Sequence, residues 1–236
     1  MCAVIGRIAR MDAAERKSMK QIVVVSGGAV CDAFADRILE EIKPFAVIAA
    51  DSGMEYFYRS GKKPDVIIGD FDSVKTEALS YFREQPDIEI RELVPEKDDT
   101  DTEAAIRLAI SMGAEEITLL GATGSRLDHV LGNIELLGIG LQSGVPICMC
   151  DANNRIRMTD RGMKLRRDGQ FGTYVSLIPY TEQVEHLTLT GFKYPLSDAC
   201  LKGFCSLGVS NEIVDEEAEI AFDGGILLVI EARDAC

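Results

Sequence analysis

Histidine is almost absent: the 236 residues hold only His129 and His186. No cysteine pair has zinc-knuckle spacing either, so the donor set of a zinc enzyme is missing. No apolar run approaches the roughly 20 residues of a membrane-spanning helix. The opening stretch "MCAVIGRIARMDAAERKSMK" has a short apolar patch, but neither an h-region nor a small-residue cleavage site. Positive charge is scarce, with 25 Lys and Arg against 39 Asp and Glu and a net charge of -14. Such a chain repels nucleic-acid phosphates and anionic membranes. The expectation is a cytoplasmic protein with no nucleic-acid and no membrane partner. The seven cysteines are odd in number. They read as small buried hydrophobes in a reducing compartment, with Cys148 and Cys150 on one side of a strand.

Hydrophobic content of 47% is enough for a substantial core. Core patterning begins at "KQIVVVSGG", so residues 1–19 read as an N-terminal extension, with Met19 a possible alternative start. Up to residue 150, strand-like runs (22–26, 46–50, 66–69, 88–93, 117–120 and 146–150) alternate with helix-period segments (31–43, 75–84, 102–113 and 126–144). Gly113 and Gly144 stand where helices should end. This alternation predicts a parallel-sheet, three-layer α/β domain over 20–150. After the boundary segment 151–154, short runs of alternating polarity predict an antiparallel β-sandwich or jelly-roll-like domain over 155–236. Within it, "AEIAFDGGILLVIEA" reads as a hairpin turning at Asp223-Gly224.

In an open parallel sheet, ligands collect outside the carboxyl ends of the strands. Asp51 follows the second run, and Gly69, Asp70 and Asp72 end the third in "GDFDS". Asp98, Asp99 and Asp101 follow the fourth in "KDDTD", and Ser26-Gly27-Gly28 follows the first. Taken singly, each aspartate can be a helix cap, and Thr100 with Glu103 forms a capping box. Together they exceed what capping needs. Asp70 and Asp72, two apart on an extended segment, share a face, and Gly69 leaves room for a phosphate or metal. Phe71 should turn into packing, and Ser73 should cap the next helix. Paired carboxylates of this kind suit Mg²⁺ and phosphoryl transfer. The loop "GATGSRLDH" adds Thr123 and Gly124, whose backbone can hold phosphate oxygens, followed by Arg126, Asp128 and His129. Alone, Arg126 and Asp128 are an ordinary surface pair, and His129 a partly buried helix residue.

"GDFDSV", "KDDTDTEAAI", "GATGSRLDH" and a late "GVSNE" stand in an order and spacing that resemble the thiamine pyrophosphokinase family, over nearly all the chain from Lys20. The resemblance implies an α/β domain joined to a β-sandwich domain, in a homodimer with active sites at the subunit interface. It implies transfer of the pyrophosphoryl group of ATP to thiamine, with Mg²⁺ required and AMP leaving. By motif, Asp70, Asp72 and Asp101 would hold Mg²⁺ and phosphates with Asp98 in support, and Lys97 and Arg126 would counter phosphate charge. Asp128 would lie by the nucleotide or metal, and Asp51 in the same crevice. Gly27, Gly69, Thr123, Gly124 and His129 complete the implied ATP-binding set. Ser210 and Asn211 would meet thiamine. The family often has a tryptophan in a "GLKW"-like segment; this chain has none, and "GFKY" stands there. Tyr194 either stacks in its place or packs within the β domain.

Two rivals stand beside this reading. An aspartyl-phosphate phosphatase of the haloacid dehalogenase type would use Asp70 as nucleophile and Asp72 as acid. A non-catalytic nucleotide- or thiamine-binding module would keep the site without turnover.

Overall fold

The computed structural model describes residues 19–72, 74–94, 98–124 and 126–234. Residues 1–18, Ser73 and Lys97, to which the sequence gives an extension, a cap and a phosphate contact, lie outside them. The chain divides into two compact units, one ending at Ala152 and the other starting at Asn153.

The first unit has six parallel strands: β1 (Gln21–Val25), β2 (Ala46–Ala50), β3 (Val66–Gly69), β4 (Glu89–Glu92), β5 (Glu116–Leu120) and β6 (Ile147–Cys150). Their order is β4-β3-β2-β1-β5-β6. The chain steps outward from β1 to β4, then returns to place β5 on the other side of β1. That reversal is the switch point where such sheets bind ligands. The central strands are apolar on both faces, and Ile22 to Val25, Ile48 and Ile67 are completely buried, as expected of strands covered by helices. The helices are α1 (Asp32–Ile42), α2 (Met54–Ser60), α3 (Thr76–Arg83), α4 (Asp101–Ser111) and α5 (Leu127–Ser143). Helix α2 is not evident from periodicity, because its seven residues span barely two turns. It begins from a 3-10 turn at Asp51–Gly53. Lys75 occupies the N-cap position of α3. Gly113 and Gly144 take left-handed backbone just beyond α4 and α5.

The second unit is a sandwich, in keeping with the expected fold class. One sheet has the order β7-β13-β9 (β7 Asn154–Thr159, β9 Tyr174–Pro179, β13 Leu227–Ala232). The other has the order β11-β10-β12-β8 (β8 Met163–Arg166, β10 Gln183–Thr190, β11 Leu196–Lys202, β12 Glu217–Ala221). Val175, Leu177 and Val229 from the first sheet pack with Leu187, Leu189 and Ile220 from the second.

Two expectations are corrected here. Strands β12 and β13 do not form a hairpin: β12 pairs with β10 and β8, and β13 with β7 and β9. Asp223-Gly224-Gly225 is instead a corner between sheets, with Gly225 at φ 96 pressed on the Gln183 carbonyl. Strand β11 escaped the pattern because Asp198, at φ 51, interrupts it and binds His186 of β10, itself at φ 55. The cysteines also differ from expectation. Cys150 is buried, whereas Cys31, Cys200 and Cys205 are exposed, and all three are free thiols.

Among the described residues the sandwich encloses one charged group. Glu231 of β13 is wholly buried and faces Arg155 across the ladder with β7. Its carboxylate accepts from Arg155 Nη2 at 2.6 Å, Arg155 Nε at 2.8 Å, the Phe171 N–H at 3.0 Å, and Arg157. Burial pushes its pKa up, but the two guanidiniums more than reverse this and hold it below the ordinary 4.5. Glu231→Ala should therefore cost about 3–5 kcal/mol in urea unfolding at pH 7, because it strands two half-buried arginines. A depressed folded-state pKa gives stability that is complete above the unfolded value and lost as pH falls through the folded one. The gap between wild type and Glu231→Gln should thus be full above the ordinary 4.5 and close as the pH drops below it.

Candidate functional site

The site is built from loops that interlock at the carboxyl edge of the first unit's sheet. Ser26, after β1, donates its N–H to the Leu120 carbonyl at 2.8 Å. The Gly28 N–H then bonds Gly121 O at 2.7 Å, and the Ala29 N–H bonds Thr123 O at 2.8 Å. The two glycine-bearing loops thus run as a short pair. Gly121 permits this at φ 64: a Cβ there would lie 2.3 Å from the Ser26 carbonyl. Asn133 of α5, a residue the sequence did not single out, donates to Ala122 O at 2.8 Å and fixes the same loop.

Asp51 leaves β2 in left-handed backbone, at φ 47. Gly53 passes so close to β1 that a Cβ would meet the Val25 carbonyl at 2.0 Å. Gly69 is a milder case: a Cβ there would lie 3.1 Å from the Asp51 Cα, a tight contact. The glycine thus eases the close approach of Asp51. Phe71 follows at φ 61 with its ring buried, as expected. Its left-handed backbone breaks the extended run that would have set Asp70 and Asp72 on one face. Asp72 is exposed, and its N–H turns back to Asp70 Oδ1 at 3.2 Å.

Asp101 opens α4. Thr100 caps that helix by accepting the Glu103 N–H at 3.2 Å, one arm of the expected capping box. The Glu103 carboxylate turns to Arg107 instead of reaching back. The outcome is that Asp51, Asp70 and Asp101, all half-buried, present oxygens within 4.8 Å of one another. Asp51 stands in this set and Asp72 does not, and Asp98 is exposed. A hard-oxygen set of this kind fits a divalent cation such as Mg²⁺.

Around it, Gly27, Gly124, Arg126, Asp128 and His129 are exposed and Thr123 is half-buried. Arg126 grips Asp128 through two bonds, Nε–Oδ1 at 3.2 Å and Nη2–Oδ2 at 2.6 Å. The guanidinium holds the Asp128 carboxyl down at about 2, with help from the His129 N–H.

In the second unit the structure brings together Tyr194, Ser210 and Asn211. Asn211 is buried, and its amide group is occupied: Oδ1 accepts the Tyr194 and Glu212 N–H groups, and Nδ2 donates to Tyr194 O at 2.8 Å. Ser210, at φ 59, gives its N–H to Ser176 Oγ at 3.0 Å. Tyr194 is 59% exposed, so it does not serve as core packing, and Lys193 lies over its ring.

A parallel sheet with carboxylates and a glycine-rich loop at its switch point defines an α/β protein whose crevice suits phosphoryl-group chemistry. Comparison with known proteins narrows this. Residues 41–149 match the family described as "Thiamin pyrophosphokinase, catalytic domain", and residues 162–227 match "Thiamin pyrophosphokinase, vitamin B1 binding domain". The curated thiamine pyrophosphokinase of Bacillus subtilis is 34% identical over 188 residues, covering 79% of this chain and 87% of the relative. A crystal structure of thiamine pyrophosphokinase from that organism superposes with a TM-score of 0.81 at 31% identity, covering 92% of this chain and all of that one. A second, from Geobacillus thermodenitrificans, gives 0.78 at 33% identity, covering 91% and 98%. The chain belongs to the thiamine pyrophosphokinase family.

Loop interlock can be separated from simple backbone strain. Gly61 is also left-handed, at φ 68, but has open space where a Cβ would go. Gly61→Ala should cost about 1–2 kcal/mol for the left-handed backbone alone. Gly121→Ala should lose measurably more in urea unfolding, because its methyl group must also displace the Ser26 carbonyl.

Proposed function

We propose that this protein transfers the pyrophosphoryl group of ATP to the hydroxyl of thiamine, yielding thiamine diphosphate and AMP. The observation that carries this is the convergence of Asp51, Asp70 and Asp101 in a chain matching both domains of the family. These three carboxylates would hold Mg²⁺, with Asp72 and Asp98 in support at the rim. Bound there, Mg²⁺ supplies neutralising charge to the substrate phosphates. Arg126, released from Asp128, and Lys97 counter further phosphate charge, and the Gly27 and Thr123-Gly124 backbones line the phosphate path. Asp128 and His129 belong to the nucleotide side. The thiamine hydroxyl attacks the β-phosphorus in line, AMP leaves, and a carboxylate takes the proton. Tyr194 offers its exposed ring to thiamine and Ser210 its hydroxyl, while Asn211 holds the Tyr194 backbone in place.

By the same family reasoning the working form is a cytoplasmic homodimer. Among the described residues no helix is long and apolar enough to cross a membrane. A phosphatase with Asp70 as nucleophile is disfavoured, because it leaves the vitamin-binding domain without a role.

The purified protein with ATP, Mg²⁺ and thiamine should form AMP and thiamine diphosphate in equal amounts. Release of ADP, or AMP formation that ignores thiamine, would overturn the assignment. Asp70→Asn should keep the fold, by circular dichroism, and lose about a thousandfold in turnover, the several kcal/mol that metal-held charge supplies. A phosphoenzyme trapped on Asp70 would instead support the phosphatase.

A further inference from the structure

We infer that a buried hydroxyl pair, Ser26 with Thr102, is a positioning element of the acidic site, setting where Asp101 stands relative to Asp51 and Asp70. The inference rests on the cation-binding role proposed above for those three carboxylates.

Ser26 Oγ and Thr102 Oγ1 lie 2.6 Å apart, and both residues are sealed from solvent. Buried hydroxyls keep partners because losing one leaves the other unsatisfied. The pair joins segments 76 residues apart: the tip of β1 and the first turn of α4. Neither residue carries charge, and neither belongs to the converging acidic set.

Ser26 is itself well anchored, through its N–H to Leu120 O at 2.8 Å. Its neighbours extend the anchor. Gly27 O accepts from Ser52 Oγ at 3.4 Å, next to Asp51, and Gly28 and Ala29 are tied to the loop after β5. The Ser26 segment is therefore a fixed point that already holds the backbone beside Asp51.

Thr102 directly follows Asp101. Successive helical side chains diverge by about 100°. The Thr102 hydroxyl can therefore face the strand tip while the Asp101 carboxylate faces the crevice. Apolar packing through Ala105, Ile106 and Ala109 turns one face of α4 to the sheet, but the hydrophobic effect is not directional and sets no single atom's position in the first turn. The Thr100 cap is internal to the helix. A directional bond at the second residue supplies what both lack, at the end of the helix that carries Asp101.

The test uses the full-length chain and Mn²⁺ as the probe ion, with free ion counted by electron paramagnetic resonance. Thr102→Val and Ser26→Ala should each weaken Mn²⁺ binding about tenfold, the low end of what loss of an outer partner supporting a metal site costs. The Mg²⁺ concentration giving half-maximal turnover should rise in parallel, while kcat at saturating Mg²⁺ changes little. Thr102→Ser keeps the hydroxyl and should bind as wild type does. The double variant should be no weaker than either single one, since both remove one bond.

Mn²⁺ affinities within about twofold of wild type in the folded single variants would overturn the inference, as would fully additive losses in the double variant. If Thr102→Val does not fold, Ser26→Ala decides by the same criterion. Failure of the underlying reading looks different. Wild type binding no Mn²⁺, or Asp101→Asn leaving its binding unchanged, would overturn the cation site and this inference together.

Discussion

Three carboxylates meet with oxygens within 4.8 Å of one another at one sheet edge, and the loops around them fix the backbone that carries each one. The restraint is mainly backbone. Asp51 is held in left-handed geometry, with Gly69 packed closely beside it and Gly53 against β1, where a Cβ would collide with the Val25 carbonyl. Asp101 sits in a capped helix whose next residue is bonded into the sheet edge. A hard-oxygen set held this way fits a divalent cation.

The fold was largely legible in the residues. Apolar runs broken by helix-period segments locate the inner parallel strands, which are buried on both faces and carry no polar alternation, while the edge strand β4, Glu89–Glu92, is largely exposed and alternates in polarity. Helix α2 was lost because its seven residues begin from a 3-10 turn instead of a capped start. The false hairpin at Asp223-Gly224 has a different cause. The dipeptide does make a tight turn, but local chemistry cannot say whether the departing strand returns to its own sheet. That is decided by the inner faces of β12 and β13, whose Ile220 and Val229 enter one core from opposite sheets.

The second unit shows two uses of a buried polar group. Glu231 is an acceptor satisfied by two arginines and a backbone N–H, and it ties β13 to β7 and to the Phe171 segment. Asn211 joins 210–212 to the segment ending at Tyr194, using both ends of its amide group. In "GVSNE" the asparagine looks like a ligand because it is polar and lies in a turn. The structure shows it buried with both ends of its amide engaged, while Tyr194 and Ser210 stay exposed.

The position of Asp51 beside Asp70 shows what a spacing argument leaves out. Two residues apart on a strand means one face only while the backbone stays extended. Phe71, at φ 61, ends that condition within a single residue, and the Asp72 N–H folds back onto Asp70. The third carboxylate comes instead from the next strand, which neighbours β3 in the sheet but precedes it by many residues in the chain. The missing side chain at Gly69 eases that approach. In "GDFDS", then, the spacing of the two aspartates does not by itself define the ligand set: Asp70 faces Asp51 and Asp101, and Asp72 stands exposed at the rim.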